Sequence, residues 1–247
     1  MPRLSVIIIT KNEAHNIEAC LESVKWADEI IVVDSGSTDG TVDICHKYTD
    51  KILVTDWPGY GLQKQRALDR ATGEWVLSLD ADERIPPALQ KEIQETIGSS
   101  PPANGFYLPR VSEYCGKAMR FGDWRNDRVL RLFRRTKGRF MTASVHEKIL
   151  VQGTLGTLKH HIYHFSYPDM DVVIKKMNDY SSLTAAQKKE KNATGGIFKA
   201  LLHGLWSFTR GYFLRFGFLD GREGFLLAVS NAECSYYRYV KMMYLKK

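Results

Sequence analysis

The chain has 247 residues, of which 44% are hydrophobic and 26% charged, ample for a packed globular core. Its formal net charge is +7, from 35 Lys and Arg against 28 Asp and Glu, which points to an acidic substrate, an anionic membrane surface or nucleic acid. No stretch of 18 or more residues is free of charge, which argues against a spanning helix, and the early entry into a strand leaves no room for a signal peptide.

Three apolar runs, "LSVIIIT" (4–10), "EIIVVD" (29–34) and "EWVLSLD" (74–80), are continuous rather than alternating. Strands buried on both faces of a parallel sheet read that way. Between the first two, Ile17, Cys20, Leu21 and Val24 recur at helical spacing, and Thr10 and Glu13 stand at capping-box spacing at that helix's start. After "SGSTDG", Val42, Cys45 and Tyr48 continue as a helical stripe. A short run, "KILVTDW", then precedes "GYGLQKQRALDRA", a loop feeding a third helix. The order β-α-β-α-β-α-β predicts a doubly wound α/β half. Four cysteines lie far apart without C-x-x-C spacing, and Cys20 and Cys45 read as small buried hydrophobes in a reducing compartment.

Beyond Pro86 the pattern becomes more antiparallel, with "SSPPANG" as a loop and strand-like runs at 105–110, 128–134, 144–151 and 157–165. From 169 to 192 the period is helical, broken by "NATGG". In the tail, Phe198, Leu201, Leu202, Leu205, Phe208 and Tyr212 fall at helical spacing, interrupted by Lys199, His203, Arg210 and Arg215. That mixture predicts an interfacial helix on an anionic bilayer, with packing against the preceding domain or a second subunit as the alternative. The expected division is 1–168, in two halves at 4–85 and 86–168, and a helical extension at 169–247.

In open α/β sheets, ligands sit at the carboxyl ends of the strands. Here those ends carry Thr10 to Glu13, Asp34 to Asp39, and Asp80, Asp82 and Glu83. No G-x-G-x-x-G follows the first strand and no phosphate-binding G-x-x-x-x-G-K-[ST] occurs, so a dinucleotide fold and a P-loop lose support. "DSGSTDG" lacks the acidic spacing and terminal Glu of a calcium loop. His146 and Glu147 do not open an H-E-x-x-H motif, because position 150 is Leu. Strand alternation sends His161 to the face opposite His160 and His164, against a three-His zinc site. Asp80 and Asp82, at i and i+2 on a strand end, can share a hard cation, Mg²⁺ or Mn²⁺, that leaves positions for substrate phosphates.

"SVIIITKNE", "IIVVDSGSTDGT" and "GEWVLSLDADE", in this order, resemble family 2 glycosyltransferases of the GT-A fold. "RLFRR", "VHE", "HHIYHFSY" and "GFLDGREGF" are similar to a bacterial subgroup, the β-glucosyltransferases that act on heptose of the lipopolysaccharide inner core. The resemblance implies that Thr10, Asn12, Glu13 and Asp34 meet the nucleotide of a UDP-sugar, with Lys64 and Arg66 facing the donor sugar and phosphates. It further implies a metal on Asp82, Asp80 and His164, and Glu147 as the base of an inverting transfer. Asp127 is the second candidate base, because the loop from 112 to 127 can lie over the acceptor. Arg125, Arg128 and Arg131 are candidates to grip an acidic acceptor such as a Kdo carboxylate or a heptose phosphate. The expected partners are a UDP-sugar, a lipopolysaccharide core acceptor and the anionic inner face of the cytoplasmic membrane, with a homo-oligomer left open and no nucleic acid. A polyisoprenyl-phosphate sugar transferase is the alternative within the class. A sugar-nucleotide nucleotidyltransferase, which calls for a Gly-rich loop with an arginine after the first strand, and a non-catalytic nucleotide-sugar-binding module are the alternatives outside it.

Overall fold

The computed structural model describes residues 2–141 and 149–245. The described chain divides into two compact units, one of residues 1–110 and 127–164, the other of 111–126 and 165–247.

In chain order the elements are β1 (Leu4–Thr10), α1 (Ala14–Val24), β2 (Glu29–Asp34), α2 (Thr41–Cys45), β3 (Ile52–Val54), α3 (Tyr60–Arg70) and β4 (Trp75–Asp80). There follow β5 (Glu83–Arg84), α4 (Pro87–Gly98), β6 (Gly105–Tyr114), β7 (Lys117–Ala118), β8 (Arg128–Arg134), β9 (Gly138–Phe140), β10 (Ile149–Val151), β11 (Leu155–Thr157) and β12 (Ile162–Tyr167). The chain ends in α5 (Met170–Glu190), α6 (Ile197–Thr209) and α7 (Gly221–Tyr244).

The main sheet runs in the order β3-β2-β1-β4-β8-β6-β12-β5. β1 pairs in parallel with both β2 and β4, and β2 with β3, whereas β8 is antiparallel to β4 and to β6. This is the expected doubly wound half continued by antiparallel strands. Its two faces are covered separately, as continuous apolar strands require. Val6, Ile8, Val32, Leu77 and Leu79 pack with Ile17, Cys20 and Leu21 of α1 and Leu89 and Ile93 of α4. Ile7, Ile9, Ile31, Val33 and Val76 pack with Ala67 and Leu68 of α3. Cys20 and Cys45 are free and buried, as expected, and burial pushes the Cys45 thiol up to about 12.

Three local expectations are corrected. Thr10 does not cap α1. It closes β1, while Glu13 occupies the cap position and donates its N–H to Thr41 Oγ1 at 2.9 Å. Helix α4 had no expected counterpart; Leu89, Ile93 and Ile97 form its buried stripe behind a proline in its first turn, the position where proline is favoured. The run at 157–165 is two strands, β11 and β12, and of the run at 144–151 only Ile149–Val151 lies within the described residues.

In the second unit, Tyr114, Met119, Val173 and Leu227 form one small core, and Ala185, Ala200, Tyr239 and Met242 another. Asp123 anchors the segment before α7: Arg210 and Arg215 donate to its carboxylate, as does Asn231. Among the described residues no helix is long and apolar enough to cross a membrane.

Candidate active site

Strand order reverses between β1 and β4: the chain leaves β1 toward β2 and β3, then returns to pair β4 on the other side. A crevice for ligand opens beyond the carboxyl ends at such a switch point. In register there stand Thr10 opposite Asp34, and Ile9 opposite Asp80. The Thr10 hydroxyl is buried without a hydrogen-bond partner among the described residues. A buried polar group left that way is costly unless something arrives to meet it.

The two loops that follow β1 and β2 at this switch point are cross-braced. Asn12, with a left-handed φ of 54°, donates its N–H to Ser37 Oγ, and its Oδ1 accepts from the Thr38 N–H at 2.8 Å. Asp34 accepts from the Ser37 N–H at 2.8 Å, and Asp39 from the Ala14 N–H at 3.1 Å. Gln63 of α3 reaches Ser35 Oγ at 2.9 Å. Asn12 and Asp34 therefore shape the loop walls. Ser35 and Asp39, within the strand-end stretch already singled out, share that work with Thr41 and Gln63, which no short-range pattern marks for it.

At the end of β4, two carboxylates, Asp80 and Glu83, are held by cations rather than left to repel one another. Lys64, 1% exposed, pairs with Asp80 Oδ1 at 2.6 Å. Arg131 donates to Asp80 and, at 2.7 Å, to Glu83, whose side chain is fully buried. Arg110 lies 3.5 Å from Glu83 and 2.8 Å from Asp127 Oδ2. Burial works to raise the Asp80 carboxyl, but Arg131 and Lys64 outweigh it and hold the group well below the ordinary carboxylate range.

The aim of Arg131 has a local cause. Leu130 pairs with Tyr107 and Leu132 with Phe106, so Arg131 is an extra residue in β8 at a break in register. A bulge of this kind re-aims a side chain.

Asp82 sits beyond this cluster, with its Oδ2 3.3 Å from His164 Nε2 on β12. β12 is brought there by antiparallel pairing with β5, His164 opposite Glu83. Among the described residues no three His, Cys, Asp or Glu side chains converge as a ready-made metal cage. A carboxylate and an imidazole a few ångströms apart nonetheless fit Mn²⁺ or Mg²⁺, which take few protein ligands and complete their shell with phosphate and water. Asp80, already compensated by Lys64 and Arg131, fits that role less well than Asp82.

Other candidates are placed apart. Arg66 pairs with Asp56 at 2.7 Å on the loop before α3. Glu13 accepts from Asn16 at the exposed mouth of α1. Of the three candidate acceptor arginines, Arg131 is inside the carboxylate cluster, Arg128 is exposed at the start of β8, and Arg125 belongs to the second unit. His160 is clipped to Glu92 at 2.8 Å, apart from His164. Glu147 lies outside the described residues.

A doubly wound sheet whose strand ends carry Thr10, Asp34 and a compensated carboxylate cluster beside an Asp82–His164 pair fits an enzyme that takes a nucleotide or phosphate ester at its switch point. The family model for glycosyl transferase family 2 matches residues 5–149, and the chain belongs to that family. It is 35% identical over 236 residues to the lipopolysaccharide core biosynthesis glycosyltransferase LpsC of Rhizobium meliloti (strain 1021), covering 93% of this chain and 87% of the relative. An uncharacterized glycosyltransferase of Rickettsia felis is 30% identical, with 98% and 90% covered. Among solved structures, S. aureus TarS (residues 1–349) aligns at 20% identity over 72% of this chain and 65% of that one, with a TM-score of 0.48. Mycobacterium tuberculosis glucosyl-3-phosphoglycerate synthase, in complex with Mg²⁺ and UDP, aligns at 26% identity over 47% and 44%, with a TM-score of 0.38.

Proposed function

We propose that this glycosyltransferase moves a sugar, glucose by its subgroup resemblance, from a UDP-sugar to heptose of a lipopolysaccharide inner core, with inversion, at the inner face of the cytoplasmic membrane. The observation that carries the reading is the switch point, where Thr10, Asp34 and Asp80 end three adjacent parallel strands beside Asp82 and His164. Similarity to a lipopolysaccharide core glycosyltransferase along nearly the whole chain supports the acceptor class.

Each side chain then has a task. The braced loops carrying Asn12 and Asp34 receive the uridine, and the unpartnered Thr10 hydroxyl accepts a hydrogen bond from it or donates one to it. Asp80 is kept ionised and fixed by Lys64 and Arg131, so it presents a rigid acceptor to donor hydroxyls. Asp82 and His164 would hold the divalent cation, which when bound neutralises the charge growing on the UDP leaving group. Glu147, by the family resemblance, takes the proton of the attacking acceptor hydroxyl. Asp127, tied to Arg110, instead orients the acceptor side of the crevice. Incubating the protein with UDP-glucose and a heptose-bearing core oligosaccharide tests this reading. It predicts UDP release that depends on acceptor and a product heavier by one hexose; release without any acceptor dependence contradicts it.

A further inference from the structure

Helix α6 is built inside out. Ala200, Gly204 and Ser207 are its buried residues, a run of small side chains continued by buried Gly211 in the π-helical turn that follows. Gly204 lets α7 approach closely: a Cβ there would lie 3.3 Å from the Ala232 carbonyl oxygen and 3.4 Å from Tyr236 Cβ. The large apolar side chains face the other way. Ile197, Phe198, Leu201, Leu202, Leu205 and Trp206 are 50–74% exposed. Phe208 and Tyr212, expected on the same stripe, instead stack on each other and edge against Phe225.

Contiguous apolar surface of this extent is rare on a water-facing monomer and marks a contact with something apolar. Small residues inward and large ones outward is the arrangement selected where the outer solvent is lipid. Charge identifies which apolar surface is met. Residues 197–219 include Lys199, Arg210 and Arg215 and no Asp or Glu; Arg210 and Arg215 are held by Asp123 and Arg222 just beyond pairs with Glu223, which leaves Lys199 as the cation on the α6 face. Thirteen residues span only about 20 Å as a helix, short of a hydrocarbon core of about 30 Å. A short, apolar-faced helix of this kind, with one lysine near its start and no acid, lies in the plane of the interface.

We propose that the outward face of α6, from Ile197 to Trp206, is an in-plane membrane anchor that inserts beneath the headgroups of an anionic leaflet, with Lys199 at the level of the lipid phosphates. The inference deepens the proposed inner-membrane location by assigning it to one surface, and its test runs without donor or acceptor. Binding to vesicles of two parts phosphatidylcholine to one part phosphatidylglycerol is measured by flotation, with wild type compared to a Leu201→Glu/Leu205→Glu variant. Both residues are more than half exposed, so the variant keeps its melting temperature, and a second variant, Phe198→Ala/Trp206→Ala, checks the result without added charge. The expected result is flotation of wild type that weakens with salt and falls at least about tenfold in either variant. The Trp206 emission, taken as wild type minus Trp206→Phe, shifts to the blue on vesicles. Wild type that ignores these vesicles at low salt, or variants that float as well as wild type, overturns the proposal. A wild-type dimer in sedimentation that becomes monomeric in the Glu variant, without vesicle binding, overturns it in favour of a second copy as occupant. Failed sugar transfer with intact flotation would count against the proposed reaction alone.

Discussion

Lys64 is a buried cation whose main visible task is to hold Asp80, and replacing it with Met keeps its length while deleting the charge. The pair is 2.6 Å apart and Lys64 is 1% exposed, so its loss is felt in a low-dielectric setting. Removing one partner of a buried ion pair costs about 3–5 kcal/mol. Two features reduce that figure here: Arg131 still binds Asp80, and the Asp80 side chain is 29% exposed, so water reaches it. Roughly 2 kcal/mol remains, which for a chain of this size lowers the melting temperature by about 4–8 °C. Chemical denaturation of Lys64→Met, Asp80→Asn and the double variant closes a thermodynamic cycle. Because the two groups touch, the double variant is predicted to lose less than the sum of the singles, with a coupling of about 1–2 kcal/mol. Strict additivity would refute the compensation mechanism, and so would a Lys64→Met protein as stable as wild type.

Asp82→Ala is expected to abolish the metal dependence of UDP binding and lower turnover by at least about a hundredfold, with calorimetry of UDP in Mn²⁺ as the check; undiminished turnover in excess EDTA speaks against a metal at Asp82 and His164. Glu147→Gln is expected to bind the donor normally and lose about 10²-fold or more in kcat, while Asp127→Asn raises the acceptor KM; the opposite pattern exchanges the two roles. Glu29 is lowered to about 2, because Lys51, Ser5 and Thr72 together outweigh a burial that acts to raise it. Its stabilisation is therefore complete above about pH 4.5 and is lost as pH falls toward 2, a ceiling of about 3 kcal/mol that screening at the half-exposed Lys51 trims to roughly 1–2. Denaturation midpoints should accordingly drop less steeply with acid in Glu29→Gln than in wild type, and equal slopes would remove Glu29 as the cause.

The parallel half was legible because its strands are short, continuous apolar runs whose carboxyl ends switch abruptly to Thr10, Asp34 and Asp80. Burial on both faces leaves that signature in the sequence itself. The partners of those residues were less visible, since they come from distant segments. Arg131 reaches Asp80 through a bulge, Arg110 through an antiparallel strand, and His164 through the pairing of β12 with a two-residue strand. Nothing local encodes such approaches. An arginine in "RLFRR" reads equally well as a solvent-facing grip on an acidic acceptor. Helix α6 misled in another way. Helical spacing marks an apolar stripe without saying which side is buried, and here the small residues Ala200, Gly204 and Ser207 took the inside.

The central claim is that the switch-point crevice binds a UDP-sugar and delivers its sugar to a core heptose. One transfer assay, read by mass spectrometry and by NMR of the product, bears on it most directly: purified protein, Mn²⁺, a panel of nucleoside-diphosphate sugars that includes UDP-sugars, and a deglucosylated, heptose-terminated core oligosaccharide. The account predicts one added hexose from one preferred UDP-sugar, with the anomeric configuration inverted, and none from Asp82→Ala. Transfer from a nucleoside-diphosphate sugar other than a UDP-sugar, a retained configuration, or a core left unmodified by every donor while the protein binds no UDP would contradict it.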